Sequence, residues 1–193
     1  MTAATKHSFG PNAGKKAKGA GHPVMFGYPK SSLHFEPFSD GGGYPLRFVE
    51  WAYREMESIG GKPVDEKKVL HLCSGSMVTG VRVDIREERK PDIVADCRNV
   101  PLPDESFDWI LADPPYSEEY AKNLYGTEKD YPKPGQILKE AARLLKPGGL
   151  YGFLHFQVPM PRKPMKIVNV YGITTGAGYA IRAWTLLRKV GPE

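Results

Sequence analysis

Between residues 68 and 156, short apolar runs bounded by turn residues alternate with longer segments of helical period, and this alternation constrains the fold more than any other feature. The spacing predicts buried strands over residues 68–72, 82–86, 91–95, 107–112 and 151–156. It predicts a helix over 136–145, stopped by Lys146-Pro147-Gly148-Gly149. Continuous apolar strands too short to alternate sides belong to a mostly parallel sheet covered on both faces. Ahead of them, Leu46, Phe48, Val49, Ala52, Met56 and Ile59 recur at three- and four-residue steps and end at Gly60-Gly61, the pattern of an amphipathic helix. Behind them, two β-prone runs over 167–174 and 179–188 flank Gly176-Ala177-Gly178, which predicts a closing antiparallel hairpin. The expected fold class is therefore α/β, with no internal repeat and no second core.

Composition removes several function classes. With 40% hydrophobic and 25% charged residues the chain reads as an ordinary globular protein. Its most apolar stretch, residues 148–160, is interrupted by His155, Gln157 and Pro159 and falls short of the ~20 residues a spanning helix needs. No membrane association is expected, and the lack of an apolar leader-like segment gives a cytoplasmic expectation. Two cysteines, Cys73 and Cys97, are then free thiols, and five scattered histidines give no zinc spacing, so no metal is expected.

The net charge of +5 is unevenly spread. Residues 1–30 hold five lysines and no acid, and residues 151–193 hold six bases against one acid, while the chain between them is slightly acidic. Residues 1–30 read as a basic, flexible arm and residues 31–193 as a single domain. Cations gathered at the two ends of a chain suit a polyanionic partner.

In an open parallel sheet, ligands bind beyond the carboxyl ends of the strands. The residues falling there are Cys73-Ser74-Gly75-Ser76 after the first strand, Asp84 ending the second, Asp96 after the third, and Asp113-Pro114-Pro115-Tyr116 after the fourth. The small-residue turn from Leu72 to Ser76 lets a ligand approach the backbone, although taken alone it is more often an ordinary strand-to-helix connection. Neither the GxGxxG dinucleotide fingerprint nor the P-loop is present. Asp84, near the end of the second strand, could accept from a ribose diol, although an acid there is more often simply solvated. The sharpest signal is Asp113-Pro114-Pro115-Tyr116. Prolines fix φ and carry no competing amide donor, so the Asp113 carboxylate and the Pro114 carbonyl can both accept from one amine. Drawing off both hydrogens of an exocyclic NH2 leaves its lone pair better able to attack a methyl electrophile, while Tyr116 stacks on the base. A proline-stiffened turn with Asp113 as a helix cap would use the same four residues.

Taken together, these residues resemble the class I S-adenosylmethionine-dependent methyltransferases, and among them the amino-methyltransferases of adenine and cytosine. The resemblance runs over about residues 44–189. It implies a Rossmann-like fold with a mostly parallel seven-stranded sheet and a C-terminal antiparallel hairpin. It carries the cofactor's methionine part onto Leu72, Cys73, Ser74, Gly75 and Ser76, with Cys73 replacing the usual aromatic or acidic residue. It carries the ribose onto Asp84, and the adenine amine onto Asp96 with Cys97 and Arg98 alongside. Catalysis falls on Asp113, Pro114, Pro115 and Tyr116. The implied cofactor is S-adenosylmethionine and the implied substrate a nucleic acid, DNA ahead of RNA. No insertion large enough for a separate target-recognition domain is present, which leaves room for a partner protein.

Secondary candidates surround this set. Residues 117–136 read as a loop whose Tyr120, Tyr125 and Tyr131 alternate with Lys122, Lys129 and Lys133, either a lid over bases or tyrosines packed on the body. Arg162, Lys163 and Lys166 follow the fifth strand on the same edge. His155 and Phe156, ending the fifth strand, read as a buried histidine beside a core phenylalanine, with lining of the base pocket as the alternative, and Phe35 and Phe38 read as cover for the cofactor adenine.

Overall fold

The computed structural model describes residues 24–26, 44–45, 47–125, 131–174 and 180–191. The rest of the basic arm, Phe35, Phe38, Lys129, the glycines at 176 and 178 and the side chain of Tyr125 lie outside the described residues. The elements, in chain order, are β1 (Val24–Phe26), α1 (Phe48–Gly60), β2 (Leu70–Leu72), β3 (Val81–Asp84), β4 (Ile93–Val94), β5 (Phe107–Ala112), α2 (Glu118–Tyr125), α3 (Pro134–Leu144), β6 (Leu145–His155), β7 (Met165–Ile173) and β8 (Arg182–Lys189). They form one sheet in the order β1-β7-β8-β6-β5-β2-β3-β4. Only β8 runs antiparallel to its neighbours β6 and β7. This is the Rossmann-like α/β sheet with a C-terminal antiparallel hairpin that the sequence predicts, extended by a short eighth strand, β1, parallel to β7.

The central strand β5 shows why its sequence is apolar without alternation: both faces are covered. Ile110 and Ala112 join Leu70, Leu72, Tyr151 and Phe153 beneath α3, whose Ile137, Leu138, Ala141 and Leu144 are buried. Trp109 and Leu111 join Leu154, Trp184 and Leu186 on the other face, beneath Phe48, Ala52, Tyr53 and Met56 of α1. Burying a Leu- or Phe-sized side chain stabilises by roughly 1.5–3 kcal/mol, so these two layers supply most of what holds the sheet. Among the described residues, no helix is long and apolar enough to cross a membrane.

Several boundaries move for identifiable reasons. The first predicted strand loses its start because Asp65 accepts from the Lys67 amide and closes a 3-10 turn over Glu66–Lys68. The third shrinks to Ile93–Val94 because Asp92 is drawn to Arg82, accepting from its backbone amide and its guanidinium. The stretch read as a loop contains α2, started by Ser117, whose Oγ accepts from the Tyr120 amide at 3.0 Å.

The connection from β2 to β3 is the least ordinary part of the fold. Parallel neighbours usually need a crossover of a dozen or more residues. Here residues 73–80 suffice, with no helix. The Ser74 amide donates to the Val83 carbonyl and the Val81 amide to the Val69 carbonyl, tying the turn at both ends. Gly80 is required at the return: its φ is +81°, and a Cβ there would lie 2.6 Å from the Val69 carbonyl oxygen.

Candidate active site

The carboxyl ends of β2, β3, β4 and β5 share one edge, because all four are parallel neighbours. The structure therefore gathers every predicted site residue there, but it gives the three aspartates different work.

Asp84 is buried and already satisfied. Its Oδ2 accepts from the Gly75 amide at 2.8 Å, and its Oδ1 from the Arg86 amide at 3.0 Å and Nε at 3.2 Å. It fixes the turn that follows β2, in which both Cys73 (φ +56°) and Gly75 (φ +54°) are left-handed. Asp96 is likewise embraced by Arg98, whose Nε lies 3.0 and 3.1 Å from its two oxygens and whose Nη2 lies 2.7 Å from Oδ2. The Cys73 and Cys97 thiols, both free, hydrogen-bond to each other and link the turns after β2 and β4. That bond and burial raise the Cys73 pKa well above the ordinary thiol range, so it stays protonated.

Asp113 differs. Burial pushes its pKa up to about 6, against the opposing pull of the Arg182 charge and a hydrogen bond from Tyr116. That bond is short, Tyr116 Oη to Asp113 Oδ1 at 2.6 Å, and Arg182 Nη1 donates to the same phenol at 2.8 Å. A relay thus runs from Arg182 through Tyr116 to Asp113. A carboxylate has about four lone-pair sites, so the phenol leaves acceptor capacity for a substrate amine. The Tyr116 ring is held on other sides as well: His155 and Phe156 meet it edge-on, at 5.5 and 4.7 Å between centroids, and the Arg182 guanidinium lies 5.9 Å from its centre.

A second network fixes the backbone of this corner. His155 Nδ1 accepts from the Gln157 amide at 2.9 Å, so the neutral ring carries its proton on Nε2. Burial lowers the His155 pKa, opposed by a hydrogen bond to the Pro115 carbonyl, and keeps the ring neutral. Nε2 then donates to the Tyr131 hydroxyl at 2.9 Å, and Tyr131 donates onward to the Tyr116 carbonyl at 3.2 Å. Tyr131 is thus packed on the body, the second of the two readings of that stretch, and His155 is a core histidine, stacked on Phe153 at 5.2 Å.

Two participants escape a reading of the sequence. Arg182, which donates to Tyr116, sits in a β-prone run whose apolar period hides it. Tyr44 is buried, its hydroxyl has no hydrogen-bond partner, and the nearby Asp113 and Cys73 help burial raise its pKa. An orphaned buried hydroxyl that feels the charges of Asp113 and Cys73 fits a polar ligand atom at this edge. Among the described residues, no group of three or more His, Cys, Asp or Glu is arranged to hold a metal ion.

Comparison with known proteins agrees with this geometry. Residues 73–153 match a family described as "Methyltransferase domain". Among solved structures, TrmN from Thermus thermophilus is similar at TM-score 0.53 and 19% identity, over 77% of this chain and 50% of that one. A Listeria monocytogenes protein, described as a class I S-adenosylmethionine-dependent methyltransferase, matches at TM-score 0.50 and 14% identity, over 79% of this chain and 62% of its own. This chain therefore spans about half to three-fifths of those two proteins, and the likeness to them is one of fold. No curated protein matches the sequence. Residues 73–153, which carry the β2 turn, Asp84, Asp96 and Asp113 on one sheet edge, match that methyltransferase-domain family, and the fold around them is the one found in these methyltransferase structures.

Proposed function

We propose that the chain transfers a methyl group from S-adenosylmethionine to an exocyclic amine of a nucleobase, with adenine in DNA as the favoured acceptor. The observation that carries this reading is Asp113: a carboxylate followed by two prolines, partly buried, with its pKa pushed up to about 6 and anchored from one side by Tyr116. Ser74, Gly75 and Ser76 would receive the methionine part of the cofactor, the Asp84 and Asp96 turns its ribose and adenine, and the Tyr44 hydroxyl a polar atom between them. The cofactor supplies an electrophilic methyl group.

The protein's own contribution is alignment. Asp113 accepts one N–H of the amine and the Pro114 carbonyl the other, which localises the nitrogen lone pair toward the methyl carbon. With the N–C bond made at the expense of the methyl–sulfur bond, and the thioether left as the product, the surplus amine proton would leave along the Asp113 hydrogen bond, for which a pKa near 6 is suited at neutral pH. Arg182 and the His155–Tyr131 pair hold the corner still, and in-line placement of nucleophile and electrophile is the main source of rate. Asp rather than Asn at position 113 favours a nucleobase over a protein amide.

The test is incubation with methyl-labelled cofactor and separate DNA, RNA and protein pools, followed by nucleoside analysis. Label in N6-methyladenine from DNA is expected. Label in RNA alone moves the substrate but keeps the chemistry, and label only in protein overturns the reading.

A further inference from the structure

The segment leaving β6 presents an apolar point beside the catalytic corner. Phe156, its first residue, is half-exposed with its ring 4.7 Å from that of Tyr116. The Gln157 amide donates to His155 Nδ1, so the root of the segment is tied to the core. Beyond it Val158 is 48% exposed and Met160 82% exposed, the latter between Pro159 and Pro161. Two prolines fix the backbone on either side of Met160, and a residue preceding proline is biased to extended backbone, so this side chain is held outward. The chain then turns back, the Met165 amide donating to the Arg162 carbonyl, and enters β7.

Single exposed apolar residues need no explanation, whereas three in one short segment at a site do. The charge around them selects a partner. Between this segment and the start of α3 lies a groove of about 830 Å³. Lys133, Lys139, Arg162 and Lys163 line it, and no carboxylate does; Arg143, also in its lining, is held by Glu140 and Asp104. An uncharged protein or lipid surface would account for the apolar residues alone. A duplex accounts for both: phosphates meet the cations, and an apolar side chain enters the base stack.

We infer that residues 156–163 form a wedge that enters the base stack of a nucleic-acid duplex, Met160 leading, while the adjoining cationic groove holds the phosphodiester backbone. This rests on the proposed nucleobase chemistry and adds to it. Asp113 and Pro114 cannot reach an amine paired inside a helix, and extruding a base costs a few kcal/mol of stacking and pairing, least where the strand is already single. Apolar side chains inserted between base steps are one known means of meeting that cost. Met160 has three rotatable bonds and a polarisable sulfur suited to stacking on varied bases.

The experiment compares wild type, Met160→Ala and Met160→Leu on native and heat-denatured genomic DNA. Met160→Ala is expected to lower methylation of native DNA about tenfold, to leave denatured DNA within twofold, and to be rescued by Met160→Leu. A readout free of methyl transfer is 2-aminopurine fluorescence in short duplexes: wild type brightens it and Met160→Ala does not. Lys139→Ala is expected to reduce the log-log salt dependence of duplex binding by about 0.9, the value of one phosphate contact. Equal loss on both DNA forms, no loss on either, or no brightening by wild type overturns the wedge. Brightening without methylation of any nucleoside keeps the wedge and removes the proposed chemistry, so the two failures are distinct.

Discussion

Asp84 and Asp113 end the strands on either side of β2, on one edge of one sheet, yet their surroundings give them opposite roles. Asp84 accepts three hydrogen bonds from Gly75 and Arg86 and is fully occupied in holding a turn. Asp113 receives one, from Tyr116, and burial raises its pKa to about 6. The same side chain at equivalent strand ends is held by several donors in one case and left with spare acceptor capacity in the other. In the proposed reaction, hydrogen-bond supply is what separates the two carboxylates.

The largest test of this contrast is removal of each. Asp113→Ala is expected to lower turnover by at least about a thousandfold, the span of general-base and electrostatic contributions, with cofactor affinity within several-fold by calorimetry. Equal loss of turnover and cofactor affinity would reassign Asp113 to cofactor binding. Asp84→Ala is expected to destabilise the fold by about 2–4 kcal/mol in denaturant titration, since it removes the buried acceptor of the Gly75 and Arg86 amides and of the Arg86 side chain. Asp113→Ala is expected to leave stability at pH 8 unchanged or raised. A folded-state pKa above the unfolded value means that Asp113 contributes stability below pH 4 and loses it as pH rises through about 6.

The comparison sharpens further with pH. If the ionised form of Asp113 is the acceptor, activity rises with pH and levels off above about 6. Arg182 holds that pKa down, so Arg182→Ala is expected to move the acid limb of the kcat/KM profile to higher pH, while an unmoved limb would place the titrating group elsewhere. The smallest expected effect is that of Tyr131→Phe, which deletes the hydroxyl joining His155 to the Tyr116 carbonyl. It should cost about 1 kcal/mol in thermal unfolding and reduce turnover only several-fold.

The two regions were unequally legible in the sequence. The strand over Phe107–Ala112 is found at its predicted bounds because both of its faces are buried and nothing local competes with the ladder. The strands before it shortened where Asp65 and Asp92 found nearer donors, and α2 went unseen because its Ser117 cap is a single residue in a polar stretch. At the site, the tetrapeptide to which the proposed chemistry is assigned stood out because its four residues are contiguous. Arg182 was not, since its partner Tyr116 is 66 positions away.

The order of apolar runs and the four residues from Asp113 to Tyr116 were sufficient by themselves to define the fold class and the chemistry to look for, because periodicity and proline stiffness act over a few residues. Which aspartate is satisfied, which phenol is anchored and where Met160 points depend on donors and neighbours brought from distant strands. Desolvation and hydrogen-bond supply are properties of that assembled edge, and only the tertiary structure decides them.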